Sequence, residues 1–240
     1  MTAVRALVFS LFFYLWGTVI MLAALPVAWS RGALWWLRRV WIRGFLAVLR
    51  LVVGLRVEIR GRAHLPPEPF IVAAKHQSML ETFVLGALFD RPAFVLKREL
   101  TSIPVFGWYL KRVGMVPIDR ARGPSALRRM HTAARACAAE RRPLIIFPEG
   151  TRRAPGAPPD YKRGLALVAR ATPDLPVVPV ALNTGLFWGK GLLDKRPGVA
   201  VIEILPPLAP GLQGDALLDA VAAVIEPAST RLADGSSRDR

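Results

Sequence analysis

His76 and Glu81 stand five positions apart in KHQSMLET (75–82), between the apolar run FIVAA and the apolar stretch FVLGALF. An imidazole beside a carboxylate is equipment for moving protons. The acid holds one ring nitrogen and fixes the tautomer, leaving the other nitrogen to accept a proton near neutral pH. Within one continuous helix, residues five apart point about 140° from each other, given the 3.6-residue repeat. The pairing therefore needs a turn, and the residue pattern supplies one: a strand entering a polar bend and then a helix. With His76 before the first helical turn and Glu81 within it, the carboxylate reaches back to the ring. Lys75 would add a positive charge nearby, and Ser78 a hydrogen bond or helix cap. The competing reading makes His76 a polar cap of the following helix, with no chemical role.

Three further clusters also lie at strand ends. In IIFPEGTRR (145–153), Gly150 permits close backbone approach to a ligand, Glu149 can accept from a hydroxyl, and Arg152 can grip phosphate in bidentate fashion. A plain Pro-Glu-Gly turn with solvated arginines would read the same way. GMVPIDRAR (114–122) places Arg120 after Asp119, and VVPVALN (177–183) carries Pro179 inside a strand, which implies an edge or a bulge. The other histidines offer less. His64 precedes two prolines in a turn, and His131 lies on the basic face of a helix. No GxSxG elbow, HExxH, GxxxxGK[ST] or GxGxxG occurs. The single cysteine, Cys137, excludes an intrachain disulfide and a CxxC metal site; it falls on the apolar stripe of its helix with Leu127, Met130 and Ala134.

The elements that must position these residues alternate. VEIR (57–60), FIVAA (70–74), AFVLK (93–97), MVPI (115–118), LIIFP (144–148), VVPVAL (177–182) and VAVIEIL (199–205) read as strands. Helical patterns fill 79–89, 125–140 and 162–172, and GDALLDAVAAVIEPA fits a final helix capped by Asp215. The expected fold is a single α/β domain with a mixed, largely parallel sheet flanked by helices, over residues 57–228. A polar tail from Ser229 to the end is expected to fray.

Ahead of that domain, residues 1–56 read as a membrane-anchoring segment of two helices. No charge interrupts Ala6–Ser30, long enough to span a bilayer core. The run exceeds the apolar part of a signal peptide and no clean A-x-A site closes it, which favours retention in the membrane. In 34–55, arginines interrupt a Trp-rich apolar sequence. Trp35, Trp36 and Trp41 suit the headgroup level, and Arg38 and Arg39 can snorkel toward phosphates. The reading is an interfacial helix, or a hairpin dipping into one leaflet. Arginines after the long run outweigh Arg5 before it, which puts the rest of the chain on the cytoplasmic side of a bacterial-type inner membrane. The chain of 240 residues carries a net charge of +16, almost all the excess being Arg, and 53% hydrophobic residues. Such a balance favours an anionic partner. With the N-terminal charge interleaved with Trp and Leu, that partner is lipid and not nucleic acid.

Together these clusters resemble the membrane glycerolipid acyltransferases, the lysophosphatidic acid (1-acyl-glycerol-3-phosphate) acyltransferase group. HQSMLE matches the H-x4-D/E motif, VGMVPIDR the second block, FPEGTR the third and VVPVALN the fourth, in the family's order; KRELTSIPVFGWYL (97–110) resembles the block between the first two. The likeness covers about residues 58–205, with Glu81 where Asp is the commoner ending. It implies transfer of an acyl group from a thioester of acyl carrier protein or coenzyme A to a lysolipid hydroxyl, with no cofactor and no metal. It implies His76 as general base and Glu81 as its orienting acid. Arg120, Arg152 and Lys97 would hold the acceptor phosphate, and Glu149, Gly150 and Thr151 would place the glycerol hydroxyls. The acceptor expected is lysophosphatidic acid, with another lysolipid such as lyso-ornithine lipid, or glycerol 3-phosphate, as the alternative. A membrane-anchored basic scaffold without catalysis is the reading from another class.

Overall fold

The computed structural model describes residues 2–118, 123–209 and 211–238. Two helices open the chain, α1 (Thr2–Ala23) and α2 (Arg31–Val48), and a single π-helical turn (49–53) closes with Gly54. There follow β1 (Leu55–Arg60), β2 (Ile71–Ala74), α3 (Leu80–Leu88), β3 (Ala93–Lys97), α4 (Phe106–Arg112) and β4 (Val116–Ile118). Next come α5 (Gly123–Ala139), β5 (Leu144–Ile146), α6 (Gly164–Ala171), β6 (Val177–Leu182), β7 (Gly198–Ile204) and α7 (Gly214–Arg238).

The seven strands form one sheet in the order β1-β7-β6-β2-β5-β3-β4. Every neighbouring pair is parallel except β6 with β7, so the expected mixed, largely parallel sheet is what forms. Strand alternation divides the core in two. Phe70, Val72 and Ala74 join Ile145, Val178 and Val180 on one face, under α1, α2 and α3. Ile71 and Ala73 join Leu144, Ile146 and Val177 on the other, under α5, α6 and α7. Cys137 is buried in that second layer.

Pro179 sits in an interior strand, not at an edge. Its ring nitrogen is tolerated because the ladder to β7 gives way beside it. Leu205 N–H still donates to the Pro179 carbonyl, but Leu208 N–H donates to Val177 O, one residue out of step with the Val180–Ile204 register. Pro207, which has no N–H, stands where the regular donor would be.

The N-terminal helices form an antiparallel hairpin that shares the main core. Phe9 and Phe13 of α1 and Ile42 and Phe45 of α2 are buried with Val72, Leu80 and Val84. The expected boundary near residue 56 therefore crosses a continuous apolar interior. The outer face of α1 is the reverse, with Leu11, Tyr14, Leu15 and Leu22 each more than half exposed. Residues 3–27 are long and apolar enough to cross a membrane by length and composition.

Three of the five residues expected to touch lipid, Trp35, Arg38 and Trp41, pack inward. Trp35 is buried, with the Arg38 guanidinium over its ring at 4.6 Å. Arg38 in turn donates to the carbonyls of Gly86, Phe89 and Asp90, closing the C-terminal end of α3, where carbonyls lack helical partners. Arg39 pairs with Asp90. Trp41 packs against Phe13, Phe45 and Phe83. Trp36 is exposed, and Arg39 keeps 38% of its side chain open. An Arg/Trp-rich amphipathic pattern serves a buried helix cap as well as a headgroup layer, so composition does not separate the two.

The C-terminal tail is also corrected. α7 runs on past Pro227 through Ser229 to Arg238, with Asp215 inside its first turn. Ser229 and Leu232 are buried. Ser229 Oγ accepts Leu182 N–H, and Asn183 Nδ2 donates to Leu232 O and Ser236 Oγ. Docking on β6 offsets the hydrogen bond that the proline removes.

Candidate active site at the carboxyl ends of the central strands

β6, β2 and β5 lie side by side and run the same way. Their carboxyl ends open along one edge, the position of ligand sites in α/β sheets. Beyond Ala74 the chain bends through residues 75–79 before α3 begins at Leu80. Ser78 Oγ accepts Leu80 N–H and tethers the start of that helix.

Glu81, in the first turn of α3, reaches back as expected. Its Oε1 lies 2.9 Å from His76 Nδ1 and accepts the backbone N–H groups of Gln77 (2.8 Å) and Ser78 (2.6 Å). Its Oε2 accepts the Thr184 hydroxyl at 2.7 Å. The carboxylate has no exposed surface, so these four donors replace the water it has lost. Its place in the first helical turn also suits a negative charge. The His76 ring is 18% exposed and stacks on Phe147 with centroids 4.1 Å apart and planes 16° from parallel. With Nδ1–H given to Glu81, Nε2 is the ring's remaining acceptor.

The segment after β5 wraps this turn from the other side. Gly150 has φ +63° in a tight turn in which its N–H donates to Phe147 O, a conformation glycine adopts without steric cost. Arg153 N–H then donates to His76 O at 2.8 Å, which ties the loop carrying Thr151 and Arg152 to the imidazole's own backbone. Thr151 is exposed and Arg152 half-buried. Lys97 is exposed at the carboxyl end of β3, the neighbour of β5. Arg120 lies outside the described residues.

Glu149 differs from expectation. Its side chain has no exposed surface; Oε2 accepts His76 N–H at 2.9 Å, and Oε1 faces Lys75 Nζ at 3.3 Å. Its oxygens are engaged internally, so it is a brace and not an acceptor for a ligand hydroxyl. Lys75 is corrected as well. It leaves the strand on the face opposite His76 and reaches Glu226 of α7 at 2.7 and 2.8 Å. Tyr161 donates its hydroxyl to the same Glu226 at 2.6 Å. Burial first, and then the Glu226 carboxylate, push the Tyr161 phenol well above its ordinary value, so it stays a donor.

Several residues of the site escape sequence reasoning. Thr184 carries no motif of its own, and Phe147, though it opens FPEGTR, draws no role from it. Gln77, whose Oε1 accepts Gly185 N–H, looks like filler between His76 and Glu81. Strand-end position is the one signal that could have drawn attention to Thr184, which follows β6 as His76 follows β2.

An orienting carboxylate, a partly exposed imidazole with one nitrogen left to accept, and cations on the adjoining strand-end segments make an arrangement able to take a proton from a hydroxyl near an anionic group. Comparison with known proteins agrees. The family model for Acyltransferase matches residues 56–183. The chain is 35% identical over 209 residues to the 1-acyl-sn-glycerol-3-phosphate acyltransferase of Pseudomonas aeruginosa, covering 85% of this chain and 80% of that one. It is 31% identical over 218 residues to 1-acyl-sn-glycerol-3-phosphate acyltransferase alpha of Mus musculus, covering 86% and 74%. The crystal structure of the 1-acyl-sn-glycerophosphate (LPA) acyltransferase PlsC from Thermotoga maritima matches with a TM-score of 0.76 and 26% identity, over 97% of this chain and 98% of that chain.

Proposed function

This chain belongs to the acyltransferase family, and from that premise we propose that it moves a fatty acyl group from an acyl thioester to the sn-2 hydroxyl of lysophosphatidic acid, giving phosphatidic acid. The observation that carries the reading is the buried Glu81 carboxylate, held by three other donors and aimed at Nδ1 of a partly open His76.

An alcohol with a pKa of about 16 is a weak nucleophile, and a positioned base makes its attack competent. His76 Nε2 takes the hydroxyl proton as the oxygen bonds to the thioester carbonyl carbon. Glu81 keeps the ring oriented and stabilises the imidazolium. When the C–S bond breaks, the imidazolium returns its proton to the departing thiolate. Atoms and charges balance without a covalent acyl-enzyme. Arg152 and Lys97, with Arg120, hold the acceptor phosphate as charge-assisted donors. Gly150 and Thr151 line the approach of the glycerol, and Glu149 supports His76 from behind. The donor is a thioester of acyl carrier protein or coenzyme A. The outer apolar face of α1 enters the lipid, and the arginine excess after it favours the cytoplasmic side of an inner membrane.

The test is conversion of labelled lysophosphatidic acid plus acyl thioester by membranes containing the protein, against an acceptor panel that includes lyso-ornithine lipid and glycerol 3-phosphate. His76→Ala should abolish turnover with no loss of protein. Turnover that survives this substitution would overturn the base assignment, and preference for another acceptor would overturn the substrate.

A further inference from the structure

Four ionisable side chains lie behind the site, on the sheet face away from the imidazole. Lys75 has 2% of its side chain exposed, with Glu149 (0%) at 3.3 Å on one side and Glu226 (25%) at 2.7 Å on the other. Tyr161 closes the group with its 2.6 Å bond to Glu226 Oε1. Burying an ammonium and two carboxylates is expensive, and for stability alone an apolar cluster of the same volume would often serve as well. The proposed chemistry gives Lys75 and Glu226 no direct contact with substrate. Yet the cluster ends on the atom that matters, because Glu149 Oε2 holds the backbone N–H of His76.

We infer that Glu226, with Tyr161 and Lys75, forms a positioning relay that acts through Glu149 to hold the His76 turn in register with Glu81. Glu226 lies on α7, beyond residues 56–183 that the family model matches. The inference rests on the base role proposed for His76. Lys75 lies between two carboxylates and is shared by them. With Glu226 removed, the ammonium has Glu149 as its one anionic partner among the described residues and draws that carboxylate toward itself. The 2.9 Å bond from His76 N–H then lengthens, and the bend that sets the ring against Glu81 loses one of its ties. Arg153 N–H still holds His76 O, so the turn loosens without unravelling. Tyr161 keeps Glu226 from swinging out to solvent, which its partial exposure would otherwise allow. Glu226, Tyr161 and Lys75 are thus positioning residues, and none of them touches the reacting atoms.

The test uses the full-length protein in vesicles, with kcat and KM for both substrates normalised to folded protein by thermal melting. Glu226→Ala should lower kcat at least about tenfold, a part of the 10²–10⁴ that a positioned base supplies. KM for lysophosphatidic acid and for the thioester should stay within about twofold. Glu226→Gln keeps the side-chain volume and guards against misfolding. It replaces one acceptor facing Lys75 with a donor, so kcat should fall severalfold there too. A double-mutant cycle with Glu149→Gln reads the coupling: residues acting as one unit give a double variant no worse than the poorer single one. Unchanged kcat per folded molecule in both Glu226 variants, or losses that multiply in the cycle, would overturn the relay. The His76→Ala arm separates the two proposals. A dead His76→Ala with a fully active Glu226→Ala sinks the relay and leaves the base standing, whereas an active His76→Ala removes the base itself.

Discussion

Thr184 Oγ1 donates to Glu81 Oε2 at 2.7 Å, joining residues 103 positions apart in the chain. The hydroxyl comes from the turn after β6, and it occupies the carboxylate oxygen that does not bind His76. Thr184→Val removes the donor and keeps the shape, leaving a buried anionic oxygen unpaired. Thermal or denaturant unfolding should show a loss of about 1–3 kcal/mol, with a lower kcat and an unchanged KM. Thr184→Ser should restore both. A Val variant as stable and as active as the parent would show that this oxygen needs no partner.

Glu81 is the residue where the commoner motif has Asp. In this chain the longer side chain reaches His76 and Thr184 at once, from the first turn of α3. Glu81→Asp withdraws the carboxylate by one methylene, so it cannot meet both. Displacement on the scale of an ångström at such a site costs roughly 10²-fold in rate. The expected outcome is a fall of that order in kcat, with Glu81→Gln lower still because the imidazolium loses its counter-charge. Equal activity of the Asp form would mean that the turn adapts to either length.

The dyad was legible from sequence because its two members are local: five positions, a strand signal before and a helix signal after. Its surroundings were not. Thr184 is distant in the chain, and no short-range pattern points from it to residue 81. Lys75 was misread for a physical reason, since adjacency in sequence suggested proximity to the imidazole while the period of two along a strand sends neighbours to opposite faces. Trp35 and Arg38 show the same limit. The composition that suits lipid headgroups also builds a guanidinium cap over the last carbonyls of α3. The stretch from Ser229 reads as a frayed tail because its composition is polar, whereas α7 persists through tertiary anchors at Ser229 and Asn183.

Tyr161 gives stability a signature at alkaline pH. Burial and Glu226 raise its phenol above the ordinary 10.0, so the folded protein keeps a proton that the unfolded chain gives up. The contribution is fully present below about pH 10 and is lost as pH rises beyond it. Unfolding measured between pH 8 and 11 should therefore fall more steeply for the parent than for Tyr161→Phe. Parallel curves would show that the phenol does not titrate differently in the two states.

The two faces of α1 should separate attachment from folding. Leu11 and Leu15 are exposed at 64% and 66%. Replacing both by Asp should cut partitioning into vesicles by at least about tenfold, since a buried Leu is worth about 1.5–3 kcal/mol, with the melting temperature little changed. Phe13 belongs to the inner face, and Phe13→Ala should cost about 3–5 kcal/mol of stability. Vesicle flotation and melting curves check both, and a Leu pair that unfolds the protein would mean the outer face is packed after all.

A bridge of rings runs from the hairpin into the reactive layer. Phe13 contacts Phe45, Phe83 and Trp188, and Phe83 stands on α3 two residues after Glu81. The hairpin that carries the exposed apolar face and the helix that carries Glu81 therefore share one packed interior. A fragment beginning at Leu55 would expose that bridge to water, and is no route to a soluble catalyst.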